Sequence, residues 1–126
     1  LIPIILTHLK NGKLPELRTP QNANDFVYVD DVAKAFSDAV SKPTPSGIYN
    51  LGSGFSTSVL EICRQAEQFV LGSDSLTCEL EEKTQESVCD VDFWANYSNA
   101  KQFLGYTPET SLSNGIKKTW HWINNQ

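Results

Sequence analysis

Apolar residues recur every three to four positions in several stretches of the chain, which is the pattern of amphipathic helices. The first stretch predicts a helix over residues 1–11, and Gly12 follows it at the position of a C-terminal cap. The second predicts a helix with apolar residues at 32, 35, 36, 39 and 40. Asp30 or Asp31 is expected to cap this helix, and Lys42-Pro43 to end it.

Three more helices are predicted in the second half of the chain. Ser58, with Glu61 three residues later, forms a capping box that opens a helix over residues 59–70, and Gly72 ends it. A brief helix over residues 98–104 ends at Gly105. The last helix covers about residues 111–124, with one apolar side formed by Leu112, Ile116, Trp120 and Ile123.

Short strands are predicted between the helices, where β-branched, aromatic or alternating residues occur. They are expected at residues 16–19, 25–29, 48–51 and 76–80, with a short extended piece at 93–95. A helix separates 48–51 from 76–80, so these two strands are expected to be parallel neighbours joined by a right-handed crossover. The order of elements predicts an α/β fold with about five helices and four to five short strands.

Composition fits one globular domain, because the 126 residues are 40% apolar and 20% charged. The net charge of −5 argues against a nucleic-acid partner, which recruits clustered Lys and Arg. No apolar run approaches the roughly 18 residues of a membrane span. The chain contains no Met and starts with Leu1-Ile2-Pro3, so we expect it to be a piece of a longer protein.

The cysteines and histidines indicate a reducing, cytoplasmic setting without a metal site. Cys63, Cys78 and Cys89 cannot all pair within the chain, and none forms a C-x-x-C motif. Cys63 lies on the apolar side of a predicted helix and is expected in the core. His8 and His121 have no neighbours at ligand spacing.

The loop Gly52-Ser53-Gly54 follows a predicted strand and precedes a predicted helix, as in a dinucleotide-binding turn. Thr57 occupies the position of the third glycine, so the fingerprint is incomplete. An ordinary strand-to-helix turn is therefore favoured. A phosphate site at the N-terminus of the helix is the alternative.

Two further pairs of residues have spacings that suggest chemistry. Tyr97 and Lys101 have the Tyr-x-x-x-Lys spacing of short-chain dehydrogenases, in which the ammonium lowers the pKa of the phenol. No nicotinamide-binding half precedes them, so a surface Tyr and a helix-face Lys are favoured. Asp30 and Asp31 lack a third carboxylate at ligand spacing, and helix capping is favoured over a metal pair.

Four motifs occur in order along the chain, at residues 24–33 (NDFVYVDDVA), 47–54 (GIYNLGSG), 95–108 (ANYSNAKQFLGYTP) and 112–122 (LSNGIKKTWHW). Together they resemble the C-terminal part of the NAD-dependent epimerase/dehydratase family, the extended short-chain dehydrogenases that act on nucleotide sugars. The resemblance implies a Rossmann-type parent whose NAD-binding loop and catalytic group lie upstream and are absent here. It also implies that Gly52–Gly54 and Tyr97–Lys101 lie outside the cofactor and proton-transfer sites.

The resemblance implies substrate-binding roles for one stretch and one aromatic residue. Pro15, Glu16 and Leu17 would contact the nucleotide base through their backbone. Arg18 lies on the same edge and would supply positive charge. Phe93 matches a position where the family often has a substrate-facing aromatic residue; a place in the core is the alternative.

The residues expected to recognise the diphosphate depart from the family pattern. Asn24 stands where the family has an arginine that clamps the substrate diphosphate, and Glu86 and its neighbours offer no second arginine. A guanidinium is permanently charged and bidentate, so an asparagine amide cannot replace its charge. Arg64 lies within a predicted helix and is expected at the surface.

We therefore expect the substrate-binding portion of an NAD(P)-dependent nucleotide-sugar epimerase, dehydratase or reductase. The parent would use NAD or NADP, whereas this fragment is expected to be inactive, with no cofactor and no catalytic residue of its own. The alternatives are a non-catalytic binding or regulatory protein that retains the fold but not diphosphate recognition, and an autonomous mononucleotide-binding domain.

The absence of the upstream half also has a consequence for the surface. Elements that pack on that half would leave apolar area exposed around residues 48–51 and the helix at 32–40. Self-association of the fragment is therefore expected.

Overall fold

Helices carry most of the fold in the computed structural model, which describes residues 1–84 and 91–126. The described helices are α1 (Ile2–Leu9), α2 (Val29–Ser41), α3 (Val59–Leu71), α4 (Ser75–Lys83), α5 (Ser98–Leu104) and α6 (Leu112–Asn124). Two short strands, β1 (Ala23–Asn24) and β2 (Thr57–Ser58), pair antiparallel, with Ala23 opposite Ser58.

The five helices predicted from the sequence are confirmed, and local signals explain their ends. Ser58 Oγ accepts a hydrogen bond from the Glu61 backbone N–H at 3.1 Å, which satisfies one free donor at the start of α3. Gly72 and Gly105 end α3 and α5 with φ of +71°, a left-handed conformation that glycine adopts without steric cost.

The prediction that Asp30 or Asp31 caps α2 is wrong. Tyr28 holds the N-cap position, and Asp30 and Asp31 lie inside the first turn, where negative charge still complements the helix dipole. The Asp31 carboxylate accepts hydrogen bonds from the Thr110 N–H at 2.9 Å and hydroxyl at 3.2 Å. It therefore joins the loop before α6 to α2 and does not cap its own helix.

The predicted strands do not form. Residues 16–19, 25–28 and 48–51 have no ladder partner in the described part of the chain, and residues 76–80 lie in α4. The expected parallel pairing of 48–51 with 76–80 is consequently wrong. The expected four to five strands are also too many for the described residues, which form two. A strand is stable only beside another strand that satisfies its backbone groups, and residue composition alone does not supply that neighbour.

The main core lies where α1, α3 and α6 meet. Its buried residues are Ile5, Leu6, Leu9, Ile62, Cys63, Ala66 and Ile116. Cys63 is fully buried, as predicted, and burial raises the pKa of its thiol to about 12, so it remains protonated and packs as a small apolar residue. A second cluster joins α2 to α5 through Ala35, Ala100, Leu104 and Tyr106.

The helices of the described residues are at most 13 residues long, and none meets the length and apolarity that a bilayer crossing requires.

Candidate functional site

Strand β1 brings together two of the candidate substrate-binding residues, Asn24 and Phe93. Ala23 donates its N–H to the Val91 carbonyl oxygen at 2.7 Å and accepts one from the Phe93 N–H at 3.3 Å. These bonds form a parallel bridge between Ala23 and Asp92. On the other side, Asn24 pairs with Thr57 of β2. Asn24 and Phe93 therefore lie on neighbouring extended segments.

The side chain of Phe93 is 57% exposed, and that of Trp94 is 55% exposed. Phe93 is thus not a core residue, and the core alternative for this position is wrong. Large aromatic side chains usually bury most of their surface, so two exposed ones in succession beside a polar strand form a surface that a ligand ring can cover. That Phe93 faces a substrate stays a prediction.

The other four candidates lie on the segment that precedes β1. Leu17 packs against the main core, whereas Glu16 and Arg18 are exposed and Pro15 is partly buried. None of the four forms a hydrogen bond with Asn24 or Phe93. The structure therefore joins Asn24 to Phe93 but does not bond the earlier stretch to that pair.

The segment between these candidates and β1 is anchored to the start of α3. The carbonyl oxygen of Pro20 accepts the Leu60 N–H at 2.8 Å, and that of Asn22 accepts the Val59 N–H at 3.0 Å. Together with the Ser58 cap, these bonds use the first three backbone donors of α3. The start of α3 therefore offers none of these donors to a phosphate.

The two arginines of the chain have different surroundings. The Arg64 guanidinium contacts Glu61 Oε2 at 2.9 Å and Glu81 Oε2 at 2.7 Å, so its charge is neutralised at the surface. Arg18 forms no ion pair with any residue that the structure describes. Of the two, only Arg18 therefore has a guanidinium free to meet an anionic ligand.

The loop Gly52-Ser53-Gly54 binds an anion, and that anion is the carboxylate of Asp25. Asp25 Oδ1 accepts the Ser53 N–H at 2.7 Å and the Ser53 hydroxyl at 2.6 Å. Asp25 Oδ2 accepts the N–H groups of Gly54 and Ala95, both at 3.0 Å. Successive backbone N–H groups make such a loop an anion-binding concavity, and here the chain fills it itself. This arrangement favours the ordinary turn over the phosphate-binding alternative.

The same contacts explain the charge of Asp25 and the glycine beside it. Burial alone raises the pKa of this carboxyl, but the hydrogen bonds from Ser53, Ala95 and Gly54 outweigh burial and hold the pKa below its ordinary value. A Cβ on Gly52 would overlap the Asp25 carboxylate and lie 2.6 Å from Ala95 Cβ. The loop is therefore built around this aspartate, a role that sequence reasoning missed although the Gly-Ser-Gly composition signals an anion.

Tyr97 and Lys101 do not form a proton-transfer pair. The Tyr97 ring packs edge-on against Tyr106, with centroids 5.6 Å apart, and covers Gly54, whereas Lys101 is exposed. The Tyr106 hydroxyl donates to the Gly52 carbonyl oxygen at 2.9 Å. Tyr97 is thus partly buried, not a surface residue as predicted, and it supports the Gly52–Gly54 loop.

The neighbouring aspartates Asp30 and Asp31 face different partners. Asp30 lies 3.6 Å from the Lys118 ammonium, and Asp31 bonds to Thr110. Within residues 1–84 and 91–126, no three His, Cys, Asp or Glu side chains are grouped as metal ligands. Cys89 and Glu86, which the sequence analysis considered, lie outside the described residues.

Comparison with known proteins shows similarity to sugar-nucleotide enzymes. The dTDP-glucose 4,6-dehydratase of Escherichia coli is 29% identical over 136 aligned positions, which cover 100% of this chain and 38% of the relative. The UDP-glucose 4-epimerase of Neisseria meningitidis serogroup C is 31% identical over 137 positions, which cover 99% of this chain and 39% of the relative. A scan of protein-family profiles gives no match.

Solved structures share the fold. The dTDP-glucose 4,6-dehydratase from Bacillus anthracis in complex with NAD superposes with a TM-score of 0.73 at 21% identity, covering 100% of this chain and 39% of that one. The ADP-L-glycero-D-manno-heptose-6-epimerase from Helicobacter pylori gives 0.72 at 23% identity, covering 99% and 36%.

These comparisons confirm the resemblance that the four motifs indicated. The chain is similar along its length to the C-terminal part of NAD-dependent epimerases and dehydratases, the extended short-chain dehydrogenases, and it has the corresponding part of their α/β fold. It spans 38–39% of the length of the two curated relatives.

Proposed function

We propose that this chain is the single, C-terminal substrate-binding region of a longer NAD(P)-dependent enzyme that epimerises, dehydrates or reduces a nucleotide-linked sugar. The observation that carries the proposal is that Asn24 and the exposed Phe93 lie on neighbouring extended segments, which are bonded to each other at Ala23. These two residues occupy positions to which the family resemblance gives substrate roles. The curated relatives named for dTDP-glucose and UDP-glucose support the same substrate class.

In this proposal each candidate residue has a separate role. Pro15, Glu16 and Leu17 contact the nucleotide base through backbone groups, and Arg18 supplies the positive charge near the phosphates. Phe93 packs against a ring of the ligand. Asn24 contributes an amide in place of a guanidinium, so the diphosphate is held mainly by neutral hydrogen bonds, which are weaker than charge-assisted ones.

The remaining part of the longer protein would hold NAD or NADP, which supplies hydride exchange when bound. Two observations support this division. The Gly52–Gly54 loop already holds Asp25, and Tyr97 packs on Tyr106 away from an exposed Lys101. We therefore expect no turnover from this chain by itself. Calorimetry showing micromolar NAD binding would contradict this assignment.

An Asn24→Arg substitution tests the substrate site directly. We expect it to tighten the binding of UDP-glucose or dTDP-glucose about tenfold at low salt, because a guanidinium adds charge-assisted bonds to the diphosphate. The measurement is ligand-observed NMR titration of the chain at two salt concentrations. The gain should shrink at high salt, since exposed charges are screened.

Asn24→Gln is the matched control, because it keeps a neutral amide while lengthening the side chain. We expect it to leave the salt dependence unchanged. Arg18→Ala should weaken the binding of the nucleotide sugar both in the chain without other substitutions and in the Asn24→Arg variant. If neither the unsubstituted chain nor the Asn24→Arg variant binds either nucleotide sugar at millimolar concentration, the proposed substrate class is wrong.

A second candidate function is a binding or regulatory protein that has lost diphosphate recognition. Asn24 and the neutralisation of Arg64 by Glu61 and Glu81 favour it, as does the net charge of −5. The coding sequence ahead of Leu1 separates the two functions. A glycine-rich dinucleotide fingerprint together with Tyr-x-x-x-Lys would exclude the regulatory protein.

The proposal includes a cytoplasmic location and self-association of the isolated chain. The free thiols of Cys63 and Cys78 support a reducing compartment. Exposed apolar residues support self-association: Phe36 is 67%, Val40 88% and Ile48 84% exposed. They lie on α2 and on residues 48–51, the two segments that we expect the remaining part of the longer protein to cover.

A further inference from the structure

We propose that Asp25 is a positioning residue for the ligand-facing surface: its carboxylate anchors the extended segment 93–95 to β1 and to the Gly52–Gly54 loop, and so holds Phe93 and Trp94 beside Asn24. The ligand-facing part of this inference rests on the proposed function. The anchoring itself is a statement about the fold and can be tested without a ligand.

One carboxylate joins three segments that are distant in sequence. Asp25 directly follows β1, Ser53 and Gly54 lie 28 and 29 residues further on, and Ala95 lies 70 residues further on. All four donors reach the carboxylate within 3.0 Å. Hydrogen bonds to an ionised acceptor are stronger than those between neutral groups.

The bond from Ala95 determines where the exposed aromatic pair lies. Phe93 and Trp94 are held between two attachments to consecutive parts of one strand: the Phe93 N–H binds Ala23 at 3.3 Å, and the Ala95 N–H binds Asp25 at 3.0 Å. Asn24, the last residue of β1, lies between Ala23 and Asp25 in the sequence. Without the bond from Ala95, the segment stays attached only ahead of Trp94, where Ala23 bonds to Phe93 at 3.3 Å and to Val91 at 2.7 Å.

The contact is specific for a carboxylate. Each oxygen of Asp25 accepts two hydrogen bonds, and all four partners are donors. An asparagine has the same shape, but its NH₂ group would face either the Ser53 donors or the N–H groups of Gly54 and Ala95. Asp25→Asn therefore removes acceptors without removing volume.

Fluorine NMR of protein labelled with 5-fluorotryptophan tests the anchoring, because Trp94 is inside the anchored segment and the other two tryptophans, Trp120 and Trp122, are in α6. Trp94→Phe assigns the signal. In Asp25→Asn we expect the Trp94 resonance to shift or broaden while the two α6 resonances stay in place. A merely structural loss of stability would unfold the protein and move all three together.

Asp31→Asn is the matched control. Like the partly buried Asp25, the buried Asp31 accepts backbone and hydroxyl hydrogen bonds, but its partner is Thr110. We expect this variant to lose stability and to keep the Trp94 resonance of the parent chain. An unchanged Trp94 resonance in folded Asp25→Asn, or the same change in Asp31→Asn, would overturn the inference.

Ser53→Ala covers the case in which Asp25→Asn does not fold. It removes the hydroxyl donor at 2.6 Å, together with the longer contacts of that hydroxyl to the Phe55 backbone at 3.2 and 3.3 Å. We expect a smaller displacement of the Trp94 signal in the same direction. A folded Ser53→Ala variant with an unmoved Trp94 signal would then count against the anchoring.

Titration with UDP-glucose tests the ligand-facing part, at a temperature where circular dichroism shows each variant folded. We expect Asp25→Asn to weaken binding about tenfold, or ~1.4 kcal/mol, and Asp31→Asn to leave it unchanged. Equal affinities for Asp25→Asn and the parent chain would overturn this part. If UDP-glucose binds to no variant, the proposed function fails, whereas the fluorine signals still decide the anchoring.

Discussion

At the scale of single residues, the most informative contact is the carboxylate of Asp25 inside a glycine-containing loop. Such a loop normally suggests a phosphate, because its N–H groups point toward one anion. Here Ser53 and Gly54 point toward Asp25 at 2.7 and 3.0 Å. A loop of this composition therefore identifies an anion site without saying whether the anion comes from outside or from the chain.

Gly52 provides a prediction at this scale. We expect Gly52→Ala to lower the free energy of unfolding by about 1–3 kcal/mol, because its Cβ would overlap the Asp25 carboxylate and crowd Ala95. Urea unfolding followed by circular dichroism measures the change.

Gly47→Ala is the control for that substitution, since the nearest atom to an added Cβ is the Tyr49 hydroxyl oxygen at 3.7 Å. We expect a change of no more than about 0.5 kcal/mol. Equal losses in the two variants would show that the Gly52 contact is relaxed at little cost.

At the scale of elements, α4 shows why one segment was predicted in the wrong conformation. Apolar and polar residues alternate over 76–80 as in a strand. The carboxylate of Glu67 in α3, however, accepts hydrogen bonds from the backbone N–H groups at the start of α4. Its carboxylate accepts the N–H groups of Leu76 and Thr77 at 2.9 and 2.8 Å and the Thr77 hydroxyl at 2.7 Å. Asp74, at the N-cap position, makes no such bond with its own side chain. A helix whose cap lies on another helix has no local signature.

Glu67→Gln tests this account of α4. Glu67 is fully buried, and the substitution leaves buried donors without an acceptor, so we expect stability to fall by about 1–3 kcal/mol. Amide hydrogen exchange should accelerate in α4 more than in α1 or α6.

The exposed Glu82 of α4 gives a matched control. Glu82→Gln makes the same chemical change on the same element at the surface, where we expect an effect within about 0.5 kcal/mol. If the amides of α4 exchanged no faster in the Glu67→Gln variant than in the Glu82→Gln variant, the capping role of Glu67 would be refuted.

At the scale of the whole molecule, apolar side chains are exposed on α2 and around residues 48–51, where the sequence predicted an exposed apolar surface. Phe36, Val40 and Ile48 are each at least two-thirds exposed, and a shallow groove between α2 and α5 is lined by Ala35, Phe36, Ala39, Tyr49, Leu51 and Leu104. Exposed apolar side chains near one another often mark an interaction surface. We expect the chain to self-associate through this surface.

Phe36→Glu measures that association. We expect light scattering to show oligomers of the parent chain at high concentration, and the dissociation constant to rise about tenfold in the variant because a charge resists burial. Trp122→Glu, at a residue 59% exposed on α6, should leave association unchanged. A parent chain that stays monomeric at high concentration would refute the expectation.

Features that depend on neighbours along the chain could be predicted from the order of residues. The apolar spacing of α1, α2, α3 and α6, the Ser58 cap, and the glycine after α5 are local, because a helix forms its hydrogen bonds within a few residues. The four motifs likewise determined the family to which the chain is similar.

Features that depend on distant partners became visible only in the folded chain. Residues 48–51 have the composition of a strand without a neighbouring strand, and residues 76–80 become helical beside Glu67. The Asp25 carboxylate binds the N–H groups of the glycine-containing loop because folding brings Ser53 and Ala95 next to it. A backbone or carboxylate group is satisfied by whatever lies next to it in space, which the order of residues alone does not specify.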